Sequence, residues 1–277
     1  MSSSLRPLTT GQLLDLTFQT YRQNFILFAG ISALPQVCLL VLKLCLLAAG
    51  ATSTGRTPGK VVWLTFIIAM LILLASLILN SIATAATTFG VSDAYLDQET
   101  SIRACFARVK GKIGKVIYAS VELGLRVWIG FILLIIPGIY WAGEYGLAVP
   151  AVVLEDIKGK QACARSAELT KDCVGRIIAI YFLTLMLILA IGGGIGVALG
   201  VAAPSLTRAA GTTTAAVFQY LVSAVVNTLI TPVMSIALTL AYYDQRVRKE
   251  AFDIESMMSL LGEPTVATPQ NTMGATS

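Results

Sequence analysis

Hydrophobic residues fill five long stretches of the chain, and polar or charged residues separate them. The stretches cover about residues 25–49, 61–91, 113–136, 177–203 and 213–243. Each is longer than the roughly 18 apolar residues that indicate a transmembrane helix. The pattern therefore predicts an all-α, polytopic membrane protein in which each stretch crosses the bilayer once.

A shorter apolar segment follows the third stretch. Pro137 and Gly138 interrupt the run, and residues 139–154 then lead back to charged sequence. The 15 residues from Tyr140 to Leu154 would cover only about 22 Å as a helix, less than the roughly 30 Å hydrocarbon core. The segment predicts a sixth crossing that is tilted or thins the bilayer, or a re-entrant hairpin with the third stretch.

Charged, amphipathic sequence precedes the first, third and fifth stretches, at residues 9–24, 97–115 and 155–176. In the first of these, Thr9 and Gln12 have the spacing of a capping box, which predicts a helix start. Short helices with one apolar and one charged face can lie in the membrane interface. We therefore expect amphipathic interfacial helices on the cytoplasmic side.

The distribution of lysine and arginine predicts the orientation. If six crossings start from a cytoplasmic N-terminus, 15 basic residues lie on the cytoplasmic side and three on the other. This excess follows the positive-inside rule, so both termini are predicted to be cytoplasmic and the protein to lie in the inner cell membrane. Residues 1–255 form the predicted membrane domain, and residues 256–277 a disordered polar tail.

Composition restricts the chemistry. Charged residues make up 13% of the chain, against about 25% in globular proteins. The chain has no histidine, which excludes histidine acid–base catalysis, serine–histidine triads and histidine metal sites. Five cysteines without a CxxC pair predict free thiols rather than a metal site, so no cofactor is expected. The basic residues flank apolar stretches, which predicts membrane lipids rather than nucleic acid as partners.

Two apolar stretches end in almost the same way. Residues 74–98 and 221–245 align without a gap, with eight of 25 positions identical, and end in YLDQ and YYDQ. The middle segment ends in VVLED, a weaker version of this ending, and an Ala-Cys pair recurs at 104–105 and 162–163. We therefore hypothesise three pseudo-repeats, each an interfacial helix followed by a helical hairpin.

The two aligned stretches also share a polar pattern. Five polar positions at four-residue spacing are Ser76, Asn80, Thr84, Thr88 and Ser92, opposite Ser223, Asn227, Thr231, Ser235 and Thr239. Such a stripe either lines a polar path through the membrane or joins packed helices by hydrogen bonds.

Glu122 and Arg126 lie four residues apart inside the third stretch. A charge at the bilayer centre costs about 2.5–3.5 kcal/mol on insertion scales, so the two are expected to pair, and Glu144 is an alternative partner for Arg126. The pair is either a structural salt bridge or part of an ion-linked site.

Gly192, Gly196 and Gly200 repeat every four residues in the fifth stretch. Small residues at this spacing allow close approach of another helix. We therefore predict a packing face there.

Four quoted segments carry a family resemblance: GQLLDLTFQTYRQNF (11–25), IPGIYWAGEYGLAVPAVVLED (136–156), ACARSAELTKDCVGRI (162–177) and LTLAYYDQRVRKEAFDIE (238–255). Together they resemble the glycerophosphoryl diester phosphodiesterase membrane domain family. The resemblance implies a membrane module without the hydrolase, because the catalytic barrel needs about 250 further residues and such enzymes rely on histidines. It implies no substrate.

These patterns favour a non-enzymatic, lipid-associated scaffold or accessory protein, which could also bind other membrane proteins or form a homo-oligomer. The alternative is a transporter or channel for a small solute or ion, which would use the two polar stripes and the Glu122–Arg126 pair. No nucleophile–base pair that would indicate a hydrolase is visible in the sequence.

Overall fold

The described part of the chain is helical, as its apolar periodicity predicts. The computed structural model describes residues 9–51, 58–96, 98, 100–171 and 173–261, and contains no strand among them. Eleven α-helices are described there: α1 (Thr10–Gln23), α2 (Phe25–Ala51), α3 (Pro58–Tyr95), α4 (Ile102–Lys110), α5 (Ile113–Leu133), α6 (Ile135–Tyr145), α7 (Ala148–Glu155), α8 (Gly159–Thr170), α9 (Val174–Ile188), α10 (Gly194–Ala210) and α11 (Thr212–Leu261). A π-helical turn, Leu189–Gly193, joins α9 to α10.

Five of the helical segments are long and apolar enough to cross a membrane. They are Phe25–Ala48, Trp63–Tyr95, Ile113–Leu133, Val174–Ala209 and Thr212–Lys249. They correspond to the five long apolar stretches of the sequence, so the prediction of a polytopic membrane protein is confirmed at this level. The sixth segment is divided into α6 and α7, of 11 and 8 residues, and neither is long enough alone.

The order of helices repeats three times. A short helix (α1, α4 or α8) precedes a helix or joined helices leading away from it (α2, α5 or α9–α10), and a returning segment follows (α3, α6–α7 or α11). Two short helices begin with side-chain caps. The Thr9 hydroxyl accepts from the backbone N–H of Gln12, whose side chain accepts from Thr9 in the predicted capping box, and the Ser101 hydroxyl caps α4.

The hairpin between α5 and α6 turns earlier than the proline-glycine pair indicates. The helix ends at Leu133, and Leu134 is extended with φ −168° and ψ 151°. The cause is a close approach of two glycines: a Cβ on Gly130 would lie 2.8 Å from the Cα of Gly138. Because these residues lie equally far from Leu134 on either side, the chain must reverse there. Pro137 is accommodated in the first turn of α6, where its missing N–H costs no helical hydrogen bond.

The buried core lies at one end of the helices. It is formed by the last turns of α3, by α7, by Ile236–Tyr242 of α11, and by the inner sides of α4 and α8. The other halves of the long helices expose large apolar side chains such as Trp63, Leu73, Val197 and Val201. This division suits a protein that packs against itself at one side of a membrane and against lipid elsewhere.

The final helix continues beyond the predicted membrane domain. It runs to Leu261, six residues past residue 255, so the first part of the predicted tail is helical. Residues 262–277, the rest of that tail, lie outside the described residues. Pro232 within α11 removes a helix donor, and one turn earlier the carbonyl of Leu229 accepts a 2.9 Å hydrogen bond from the Tyr21 hydroxyl of α1.

We expect Gly130→Ala to destabilise the protein, because the added methyl group would overlap both Gly138 and the Trp141 ring. Overpacking of this kind costs about 1–3 kcal/mol. Thermal unfolding of the purified protein in detergent would show a lower midpoint. Gly124→Ala in the same helix is the matched control, since no atom lies within 4 Å of its added Cβ. Equal midpoints for the two variants would contradict the close glycine contact.

Candidate functional site

Most of the described ion pairs lie at the end of the molecule that contains the core. We call this region the charged end and define it by the ion-paired residues Asp93, Arg108, Lys112, Lys115, Glu155, Asp156, Arg165, Glu168, Arg176, Asp244 and Arg248. They come from the ends of the three returning segments, from α4 and α8, and from the starts of α5 and α9. We call each short helix, together with the two segments that follow it, a helical unit. The charged end therefore joins all three helical units.

Asp244, in the YYDQ ending of α11, is the most buried acid of the charged end. Its Oδ2 accepts from Arg176 Nη1 at 2.6 Å and from Arg248 Nε at 2.9 Å. Its side chain is 2% exposed. The neighbouring Gln245 accepts a hydrogen bond from the thiol of Cys173 at 2.9 Å. These contacts attach α11 to the start of α9.

Glu155, in the VVLED ending of α7, connects three helices. Its Oε1 accepts from the Tyr242 hydroxyl of α11 at 2.5 Å and from Arg165 Nε of α8 at 3.2 Å. A carboxylate that accepts two such donors is strongly fixed in position. The end of α7 is thereby held against both α8 and α11.

Asp93, near the end of α3, repeats this arrangement in the first unit. Its Oδ1 accepts from Arg108 Nη1 of α4 at 2.8 Å, and the carboxylate is almost fully buried. The Arg108 guanidinium and the Lys112 ammonium also lie over the Phe89 ring, at 5.7 and 5.6 Å. Each returning segment thus ends in an acid bound by an arginine from a neighbouring helix start or short helix.

The sequence endings YLDQ, VVLED and YYDQ marked this region, but not the ion pairs. The acid used in the first unit is Asp93, four residues before the aspartate of YLDQ. That aspartate, residue 97, lies outside the described residues. Asp93 is buried because of where the end of α3 lies relative to the core, and a sequence alignment does not give that position.

The recurring Ala-Cys pair has an equivalent place in two units. Cys105 of α4 and Cys163 of α8 are both fully buried in the core, and both are free thiols. Burial raises the pKa of each thiol, since an apolar surrounding disfavours the thiolate. This matched placement supports the repeat hypothesis and indicates a packing role for both cysteines.

The polar stripes meet only near the charged end. Ser92 shares a 2.8 Å hydrogen bond with the Tyr243 hydroxyl, and Thr239 donates to Thr88 at 3.4 Å. Tyr243 also stacks on Tyr95, with ring centroids 5.2 Å apart. Here the stripe residues join α3 to α11 and fill the space between them.

Farther from the charged end, the stripe residues separate. Asn80 accepts from Gln36 of α2 at 3.5 Å, whereas Asn227 is exposed and donates to the Ser223 carbonyl of its own helix at 2.7 Å. In α3, the side chains of Ser76, Asn80 and Thr84 donate hydrogen bonds to backbone carbonyls one turn earlier in the same helix. Thr231 is half-buried. No hydrogen bond joins Asn80 to Asn227 in the described structure, so at this level the two stripes do not bind each other.

The predicted intramembrane ion pair is present. Arg126 Nη2 donates to Glu122 Oε1 at 2.7 Å. The proposed alternative partner, Glu144, is not joined to Arg126. Instead the guanidinium lies over the Tyr145 ring, 4.9 Å from its centroid, and the Glu144 carbonyl accepts from Ser166 of α8 at 2.7 Å. The turn at Leu134 determines how α6 is rotated about its axis. As a result Tyr145, and not its neighbour Glu144, faces Arg126 of α5.

The glycine face of α10 is not used for packing within one chain. Added Cβ atoms on Gly196 and Gly200 would meet nothing within 4 Å, and one on Gly192 would meet only the Ile230 side chain at 3.6 Å. The reason is that α10 faces α11 with another side, which includes Leu199 and Leu206. Within the single chain no described atom lies against Gly196 or Gly200, so the packing face stays a prediction.

Comparisons with known protein families, with curated proteins and with solved structures find no match to this chain. The family resemblance of the quoted motifs therefore stays a prediction.

We expect Asp244→Asn to lower stability by about 3 kcal/mol, because it leaves Arg176 and Arg248 without their shared carboxylate. Asp15→Asn is the control, since Asp15 is exposed and forms no described ion pair. The thermal unfolding midpoint in detergent would fall by several degrees for the first variant and stay near the parent value for the second. An unchanged midpoint for Asp244→Asn would show that the stability of the charged end does not depend on the ion pairs of Asp244.

Proposed function

We propose that the chain is a non-enzymatic, multi-pass protein of the cell membrane that acts as a lipid-associated scaffold or accessory module. The acids of the charged end are engaged in ion pairs that hold helices together. They are therefore structural groups in this proposal, and the exposed basic side chains around them are the functional ones.

The observation that carries the proposal is the two-sided packing of α4 and α8. Both helices turn apolar residues to the core, including Cys105 and Val109 in α4 and Leu169 in α8. Their outer sides present exposed basic residues: Arg103, Arg108, Lys110, Lys160 and Lys171. Anionic lipids of the cytoplasmic leaflet attract such residues by about 1 kcal/mol per charge near the surface.

The basic excess at this end supports a cytoplasmic orientation of both termini. In the proposed topology, α5 leads away from the cytoplasm and α6–α7 lead back to the same side, and the other four spans cross the membrane fully. From Ile113 to Leu133, α5 has 21 residues, or about 31 Å, close to the thickness of the hydrocarbon core.

The tip of this hairpin is unusually apolar. Residues 131–136 are all exposed apolar residues, and Ile136 is 79% exposed. The other hairpins turn through polar sequence, such as residues 211–214, which include Gly211 and the first turn of α11. We therefore propose that the α5–α6 tip ends inside the far edge of the membrane, without a loop in water.

The contacts favour the scaffold over the transport alternative. The stripe residues Thr88, Ser92 and Thr239 bind across a filled interface, as expected for helix packing. Arg126 and Glu122 bind each other and the aromatic ring of Tyr145 rather than facing a second acid. A conduit would instead require these groups to line a continuous polar path.

The first test concerns lipid charge. We expect the double variant Arg103→Gln/Lys110→Gln to reduce the rise in unfolding temperature that anionic phospholipid causes in nanodiscs at low salt. Both side chains are exposed and have no described ion pair, so folding should be retained. Arg208→Gln, at the opposite end of the helices, is the charge control and should behave like the parent. An unreduced response in the double variant would count against lipid association at the charged end.

The second test concerns the hairpin tip. In a chain whose five cysteines are replaced by alanine, we expect Leu134→Cys to resist a membrane-impermeant maleimide added from outside. Thr213→Cys, in the exposed first turn of α11, should react readily and provides the reference. Equal labelling rates at the two positions would place the tip in water and refute a hairpin that ends within the membrane.

A further inference from the structure

A groove lies where the start of α5 meets the start of α8. It has a volume of about 500 Å³, and its walls include Lys115, Tyr118, Lys158, Lys160 and Gln161. We propose that this groove binds the phosphate headgroup of one anionic glycerophospholipid, whose acyl chains lie along the exposed face of α5. The proposal rests on the proposed lipid association and assigns it to a defined site.

Three lysines from two separate helix starts surround the groove, and one acid partly offsets them. Asp156 lies 3.2 Å from the ammonium groups of both Lys112 and Lys115. Hydrogen bonds from Lys115 and then Lys112 lower the pKa of this carboxyl group, so it remains ionised and holds these lysines near the groove. The ammonium groups of Lys158 and Lys160 have no described ion pair, so the groove keeps a net positive charge.

The shape of the groove depends on two glycines. Gly159 is buried against the Tyr118 ring, in a position where a Cβ would overlap that ring. Tyr118 can therefore lie flat against the start of α8 and form one wall. At Gly114, one turn before Tyr118 in α5, an added Cβ would meet nothing within 4 Å, which leaves this part of the groove open. A tyrosine ring with a wet hydroxyl is typical of the membrane interface, which is the depth of a phospholipid headgroup.

An apolar surface continues from the groove along α5. Val121, Leu125, Trp128 and Ile132 follow Tyr118 at spacings of three or four residues, and all are exposed. Residues at these spacings share one helical face. Trp128 is 70% exposed, so this face is open along its length.

The combination selects a lipid rather than a soluble anion. Lysine ammonium groups bind phosphate as point charges, and their long apolar stems allow them to reach a headgroup from below the interface. The apolar face would contribute nothing to the binding of inorganic phosphate, but it gives acyl chains a surface that starts directly below the lysines. The predicted ligand is therefore a phospholipid with net negative charge.

The test compares variants of the full chain by native mass spectrometry after purification in mild detergent with added phosphatidylglycerol. We expect one retained lipid on the parent protein. Lys158→Gln/Lys160→Gln should reduce its occupancy by on the order of tenfold, given the attraction of each basic residue for anionic headgroups. Arg103→Gln/Lys110→Gln removes the same charge from the same end of the molecule but not from the groove, and should retain the lipid.

A second variant tests the groove without changing charge. Gly114→Trp should fill the open side and displace the lipid, while thermal unfolding in lipid-free detergent stays near the parent value. Two results would overturn the assignment of the lipid to this groove. One is retention of the lipid by Gly114→Trp, and the other is an equal loss of lipid in Lys158→Gln/Lys160→Gln and in Arg103→Gln/Lys110→Gln. Either would leave only a general attraction of anionic lipid to the surface. Loss of all response to anionic lipid in the parent would instead refute the proposed function itself.

A soluble competitor separates the two sources of phosphate. Inorganic phosphate at millimolar concentration should leave the bound lipid in place, because it lacks the chain contacts with α5. Complete displacement by inorganic phosphate would show that the groove is a soluble-anion site and would overturn the assignment of a lipid.

Discussion

The structure depends on carboxylates that form ion pairs where the returning segments reach charged sequence: Asp93 and Asp244 are buried, and Glu155 is half-buried. Asp93, Glu155 and Asp244 each lie where a chain that has passed through apolar surroundings comes back to charged sequence. A buried acid is costly unless a cation and further donors satisfy it. Each acid therefore requires an arginine from a neighbouring short helix or helix start, and this requirement fixes how the three helical units meet.

The same constraint explains why the rest of the molecule is loosely packed. In a bilayer, apolar side chains gain little by leaving lipid for protein, so helices associate through close contacts of small residues and through polar groups. Such contacts are concentrated near the charged end, and the Gly130–Gly138 approach is a local exception in the α5–α6 hairpin. The described outer halves of the long helices expose many large apolar side chains, and one polar contact between them is that of the Lys43 ammonium group with the Tyr220 ring. In our proposal lipid is therefore a structural partner of this fold, and sites for individual lipid molecules are expected at the boundary between the two regions.

Sequence predicts what depends on local rules and misses what depends on packing. The long apolar helices, the Thr9 capping box and the Glu122–Arg126 pair follow from runs and spacings within one segment, and the structure contains them. The sequence indicates a turn at Pro137 and Gly138 and not at Leu134, because residues 131–136 are one apolar run and the close approach of Gly130 to Gly138 is a packing contact. The choice between Glu122 and Glu144 as the partner of Arg126 depends on the same turn, since moving the reversal by three residues, from Pro137 to Leu134, rotates α6 by most of a helical turn.

The glycine face of α10 shows the opposite limit. A four-residue spacing of glycines predicts that a helix can approach closely. Which face of α10 is covered, however, depends on how the neighbouring helix packs. In this chain α11 packs against larger residues such as Leu199, and the glycines stay uncovered. At the charged end, by contrast, both partners of each contact are ionised, and burial forces their pairing. The part of the molecule held by charge is therefore the part in which the helices contact one another through ion pairs, and the proposed headgroup groove lies at two of its helix starts. This makes the charged end, rather than the apolar helices, the place where selective recognition of a lipid can arise.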